Sequence, residues 1–410
     1  MKYMPGLDWL RALAVLLVVW AHTMPLKYRP FGGLFGQVGV DFFFVLSGYL
    51  MTRILLDCRE YATGGRATLG VYGRFHLRRM LRIDPVYWAL LTLLFLTGVI
   101  QSTGAWWKDA FVYYLYGFNW YVNWVQWEGI ADEVIPLWSL AVEYQFYVLL
   151  PPLVFALRTL DRLRVAFWVL AALGLAAQLA FAAGLGELLG FPTGPEARIS
   201  QSYSLTPSCF MPLAFGGLLA VETASGKLAA AWSRKSVRWA WGVGGALLFT
   251  VGLWCSGQLM SEPLLNRTVL RTGDSVFGAW LVVAMSAVAG SSRFEAKDFV
   301  SKGIRHIGKV SYGLYLFHKA VPTLLVWMGV ATTDWFWWFA EYSPLPIFRT
   351  DSLWYAPVFR ITEFTYELGV SVLLATVSWR FFERFFNRLK RFVGYEGMRP
   401  DGKRPGPSND

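Results

Sequence analysis

The chain has 410 residues, of which 55% are apolar, 17% aromatic and only 16% charged, with a formal net charge of +11. Soluble domains carry about a quarter charged residues, whereas apolar runs of span length recur here from end to end, which excludes a soluble single-core protein. The excess of Lys and Arg points to cytoplasmic loops and anionic lipid, and not to nucleic acid, because no basic soluble domain exists to bind it.

The apolar run from Ala12 to Trp20 has the length of a signal-peptide core, but Asp8 and Arg11 stand at its start and further spans follow, so it reads as the first span. Candidate spans cover 9–26, 36–56, 83–101, 134–157, 165–187, 209–224, 239–257, 274–290, 308–330 and 358–380. Alternate loops are basic. Loop 57–82 carries Arg59, Arg66, Arg74, Arg78, Arg79 and Arg82, and loops 158–164, 225–238 and 291–307 and the segment from Arg384 onward are also rich in Lys and Arg. The intervening loops are poorer in cations, with Glu128, Asp132 and Glu133 in one of them. The positive-inside rule then puts both termini in the cytoplasm, provided the segment 111–125 does not cross. That segment is crowded with Tyr and Trp, which favour the membrane interface, and is expected to be an interfacial or re-entrant element facing outward. The predicted fold is an all-α integral membrane protein of about ten transmembrane helices, with one membrane domain over 1–392 and a disordered cytoplasmic tail over 393–410.

Ionisable groups inside spans are costly unless they pair or line an aqueous path, so they are the candidate site. Asp8 and Arg11 share a helix face, and so do Arg11 and His22, eleven positions or about 16 Å apart along the axis. Arg11 near the cytoplasmic end is equally readable as a cation snorkelling to the headgroups. His22 sits toward the outside and carries the side chain best suited to proton exchange near neutral pH. Ser139, Glu143 and Tyr147 form one polar stripe at i, i+4 and i+8. It reads as an interhelical hydrogen-bonded clamp or as a carboxylate that orients and charges the histidine.

In the second span, Ser47 can bridge helices and Gly48 permits close approach, while Asp41 suits a helix start. Arg78, Arg79 and Arg82 suit phosphate capture, or simply set topology. His318, two to three turns into the ninth predicted span, reads more readily as a packing histidine than as a site residue, and His76 and His306 receive no role. The three cysteines, Cys58, Cys209 and Cys255, show no disulfide spacing, and no metal-ligand or glycine-rich nucleotide pattern stands out.

Taken together these motifs resemble the acyltransferase-3 family of bacterial membrane O-acyltransferases. Arg11 and His22 match its basic residue and histidine separated by ten positions, and Phe42-Phe43-Phe44-Val45-Leu46-Ser47-Gly48 its aromatic–Ser-Gly signature. Arg79 and Arg82 match Arg-x-x-Arg, and Ser139, Glu143 and Tyr147 match Ser-x3-Glu-x3-Tyr. The stretch from Ser311 to His318 is similar to the late signature. The likeness runs from about Leu7 to Glu383, and departs at Phe385, where the family often has proline.

The resemblance implies an O-acetyltransferase of the bacterial plasma membrane with acyl-CoA, in the first place acetyl-CoA, as donor substrate and no bound cofactor. Its partners would be that donor, membrane lipids and a glycan or other hydroxyl acceptor. Some family members carry a fused esterase-like domain; this chain is expected to complete transfer alone or hand its product to a partner. In the mechanism this suggests, Arg78, Arg79 and Arg82 hold the CoA phosphates and the pantetheine arm passes Arg11. His22 acts as base or acyl carrier, with Glu143 stabilising its imidazolium. Ser139 and Tyr147 serve the oxyanion and Ser47 positions the reactants, while the acceptor approaches the aromatic segment 111–127. The alternative is a transporter or flippase for glycans or lipid-linked intermediates, which inverted repeats would favour; none is visible.

Overall fold

The computed structural model describes residues 3–24, 34–62, 64–100, 106–127, 130–258, 263–287, 298–327 and 355–395. Glu128 and most of the predicted tail, 396–410, lie outside them. All regular structure among the described residues is helical. In chain order the helices are α1 (Pro5–Thr23), α2 (Phe35–Asp57), α3 (Gly65–Leu96), α4 (Trp106–Tyr114), α5 (Phe118–Val125), α6 (Leu137–Ala156), α7 (Leu160–Ala182), α8 (Leu185–Leu188) and α9 (Pro195–Ser204). There follow α10 (Phe210–Ala224), α11 (Lys227–Ser233), α12 (Lys235–Gln258), α13 (Pro263–Ala287), α14 (Phe299–Lys309), α15 (Ser311–Phe317), α16 (Ala320–Trp327), α17 (Tyr355–Val377) and α18 (Arg384–Leu389).

Five stretches among the described residues are long and apolar enough to cross a membrane: Pro5–Thr23, Phe35–Asp57, Asp132–Ala156, Leu160–Ala182 and Thr206–Ala224. Helix α3 is longer than any of them, at 32 residues. At 1.5 Å per residue that is about 48 Å, well beyond a hydrocarbon core of about 30 Å. The basic stretch that the sequence places in a loop is therefore the first half of this helix, and Pro85 lies inside it.

The centre of the molecule is α1 and α2, packed on each other and enclosed by α10, α13 and α14. The α2–α10 contact needs glycine on both sides. A Cβ on Gly48 would lie 2.0 Å from the Leu213 carbonyl oxygen, and one on Gly216 2.1 Å from that of Val45. Asp41, which the sequence reads as a helix start, is instead buried in an ion pair with Arg271 of α13 at 3.1 Å, clamping α2 to α13.

Two predicted elements change character. The ninth span, 308–330, is interrupted among its described residues: α15 ends at Phe317 and α16 begins at Ala320, so His318 sits at the break. Broken helices at membrane depth belong where they line a cavity. The aromatic segment forms α4 and α5, of 9 and 8 residues, each about 12–14 Å long and too short to cross.

Candidate functional site

Most of the polar residues singled out in the sequence line two cavities. A narrow one of about 100 Å³ is lined by Arg11, Ser47, Arg79, Arg82, Ser139, Glu143 and Tyr147. A wider one of about 500 Å³ is lined by His22, Gln37, Trp127, Trp138, Tyr203 and Glu196. Val40 and Tyr315 line both, and so form the partition between them.

Helix α6 presents Ser139, Glu143 and Tyr147 along one face, as their spacing requires. Ser47 of α2 and Tyr147 both donate to Oε1 of Glu143. A hydroxyl has one proton, so in this arrangement neither has one left for an oxyanion. Ser139 pairs with the Tyr315 hydroxyl at 2.6 Å, and both lie within reach of the Pro136 carbonyl, at 3.1 and 3.2 Å. One hydroxyl of that pair donates to the other, and the second donates to the carbonyl. Arg11 is held by Asp8 at 2.8 Å.

His22 is not placed against Glu143. Its Nδ1 lies 2.8 Å from Nε2 of His318, and the two rings are nearly parallel with centroids 5.1 Å apart. His318 is buried, and its own Nδ1 lies 2.7 Å from the Tyr315 carbonyl oxygen. A carbonyl only accepts, so in neutral His318 the hydrogen is on Nδ1 and the bare Nε2 must accept. The hydrogen of neutral His22 is then on Nδ1, and its basic lone pair is on Nε2. The sequence could not pair two histidines 296 positions apart; the one available signal was that both are ionisable groups inside apolar spans.

The three arginines divide. Arg79 and Arg82 line the narrow cavity. Arg78 turns away, donating to the carbonyls of Lys390 at 2.9 Å and Val393 at 3.0 Å, with its guanidinium over the Tyr395 ring. Burial, reinforced by Arg82, brings the Arg79 guanidinium down to about 10.

The aromatic segment is mostly committed to the protein. Tyr116 stacks on Tyr87 and Tyr144, with its hydroxyl on Asp84. Asn119 and Asn123 are buried and donate to Ser204 and its neighbours at the end of α9. Trp120 and Trp124 are exposed, and Trp127 faces the wide cavity. Among the described residues no cluster of three His, Cys, Asp or Glu side chains could hold a metal ion.

Residues 4–379 match the family described as an acyltransferase domain. The chain is 29% identical over 333 residues to the peptidoglycan O-acetyltransferase OatA of Listeria monocytogenes, covering 79% of this chain and 50% of that protein. It is 30% identical over 335 residues to the O-acetyltransferase OatA of Staphylococcus aureus, covering 78% and 51% respectively. A putative O-acetyltransferase of Staphylococcus aureus is similar to the same extent, at 30% over 336 residues. The chain thus spans about half the length of these relatives. No solved structure matches it.

Proposed function

The chain belongs to the acyltransferase-domain family, and on that premise we propose that it is a multi-pass O-acetyltransferase of the bacterial plasma membrane. It takes acetyl from cytoplasmic acetyl-CoA and delivers it to a hydroxyl of an envelope glycan. The topology that accompanies this reading has ten spans, both termini in the cytoplasm and α4–α5 on the outer side. The observation that carries it is the pair of cavities meeting at Tyr315, one lined by arginines and the other by His22. The peptidoglycan substrate in one relative's name supports a glycan acceptor entering the wide cavity.

The donor's phosphates meet Arg79 and Arg82, its arm runs past Arg11 and Glu143, and the thioester reaches the partition. His22 Nε2 takes the proton of the acceptor hydroxyl as its oxygen attacks the thioester carbonyl. The tetrahedral intermediate collapses by breaking the C–S bond, and the imidazolium returns the proton to the departing thiolate. His318 accepts the Nδ1 hydrogen of His22 throughout. This is the orienting task that a carboxylate performs in a hydrolase triad, and it replaces the predicted service of Glu143. Glu143 lies with the arginines and hydroxyls of the donor channel and organises that wall.

The deciding experiment is acetyl-CoA binding to the detergent-purified protein, followed as a thermal shift. At about 100 times its dissociation constant the donor stabilises the native state by about 2.7 kcal/mol. The shift is expected in the native protein and in His22→Ala, and lost in Arg79→Ala/Arg82→Ala. A folded native preparation that shows no shift rules the donor out.

A further inference from the structure

Four cationic side chains converge at the basic end of α3. Arg78, Arg79 and Arg82 come from α3 itself, and Lys390 comes from the turn after α18, with the buried Glu383 as the acid facing them. Among the described residues neither Arg79 nor Arg82 has an ion-pair partner, and the buried Nε of Arg79 donates to nothing. The Lys390 ammonium reaches Asn387 one turn back, and the amide nitrogen of Asn387 is itself unpartnered. Positive side chains held side by side repel one another unless an anion joins them. The chain nevertheless builds this cluster deliberately. Arg78 holds the Lys390 and Val393 carbonyls, Arg74 holds that of Gly394, and Tyr61 stacks on Tyr395. The segment 390–395 is thereby strapped across the first half of α3.

We propose that Lys390 is the third cation of a phosphate site with Arg79 and Arg82, presented by this strap, and that the site holds the phosphorylated end of the acyl-CoA donor. The inference rests on the donor assignment above and adds to it a residue from the far end of the chain. It also reassigns Arg78, from a phosphate ligand to the positioning residue of the strap. Burial and then the three neighbouring arginines lower the Lys390 ammonium to about 6, as expected of a cation placed beside other cations in wait for an anion. A phosphate's paired oxygens suit the two guanidinium forks, with the ammonium as an added point charge.

The test uses the full chain in detergent, with CoA and adenosine 3′,5′-bisphosphate as probes and calorimetry as readout. Lys390→Met weakens both probes by about ten- to hundredfold, Lys390→Arg restores them, and unliganded thermal midpoints verify that the variants fold. Arg78→Ala weakens both probes too, and its strap becomes susceptible to proteolysis. If Lys390→Met binds like the native protein while Arg79→Ala/Arg82→Ala does not, the inference falls and the donor assignment stands. If the folded native protein binds neither probe, the donor assignment itself fails. The same cluster could take a lipid headgroup. Stabilisation by phosphatidylglycerol that Lys390→Met abolishes, with CoA binding intact, would assign it to lipid and overturn the proposal.

Discussion

The Nδ1 hydrogen of His22 is directed by a chain of acceptors that begins at the Tyr315 carbonyl and passes through His318. Removing that acceptor takes away the group that keeps the hydrogen of His22 on Nδ1. His318→Ala should therefore lower kcat by about 10²–10⁴-fold, the range of general-base effects, and leave acetyl-CoA binding intact. His318→Gln, which can place an amide oxygen near the lost Nε2, should recover part of that rate. Equal activity in native protein and His318→Ala would show that the pairing is packing alone.

Lys390 supplies a second test at this scale. The groups facing it are Arg78, Arg79, Arg82 and Glu383, and burial raises the Glu383 carboxyl to about 7. Above pH 7 in the empty site, Lys390 has lost its proton and Glu383 has gained its charge. Both changes disfavour an anion, so donor affinity should fall as pH rises from 7 to 8.5. Binding in that window should take up protons, as measured by calorimetry in buffers of different ionisation heat, and Lys390→Met should remove most of the uptake. At this scale the sequence revealed which residue types were out of place in a membrane: Arg11, His22 and Glu143. It did not reveal their partners, because Glu143 and His22 are separated by the Tyr315 partition, and three-dimensional neighbours leave no trace in spacing along one helix.

Element packing concentrates its demands where α2 crosses α10. Gly48 and Gly216 face each other's helix backbones, with no flexible side chain to give way, so Gly48→Ala should destabilise by about 1–3 kcal/mol, the usual cost of overpacking. Because Ser47 beside it bonds to Glu143, the same variant should also weaken donor binding. Gly244→Ala in α12, whose Cβ would meet nothing within 4 Å, should leave the thermal midpoint unchanged or slightly raised. Identical midpoints for Gly48→Ala and Gly244→Ala would refute the close contact. Helix identity was largely legible, because apolar runs dictate it; helix ends were not. The arginines of α3 lie on the same continuous helix as the apolar run that follows them, and hydropathy reads the end of an apolar run, not the end of a helix. The aromatic segment forms two helices too short to span a bilayer singly. Its burial was not legible, since it depends on α9 supplying partners for Asn119 and Asn123.

For the whole molecule, the decisive feature is the partition that Val40 and Tyr315 form between the two cavities. In the proposed reaction a thioester enters one cavity and an alcohol the other, and water must be kept from replacing the alcohol. Tyr315 is placed for this. It lines both cavities, its hydroxyl is latched to Ser139, and its carbonyl fixes the histidine pair. Tyr315→Ala opens the wall but keeps the backbone carbonyl, so His22 retains its orientation while water gains the thioester. The expected result is a rise in acceptor-independent acetyl-CoA hydrolysis, read as release of free CoA thiol, with a loss of transfer to acceptor. Tyr315→Phe keeps the ring, loses the latch, and should leak far less. The leak should vanish in Tyr315→Ala/His22→Ala, because the water needs the same base as the alcohol. Were Tyr315→Ala to bind acetyl-CoA normally and release no more CoA than the native protein, the two cavities would not be the two ends of one reaction path.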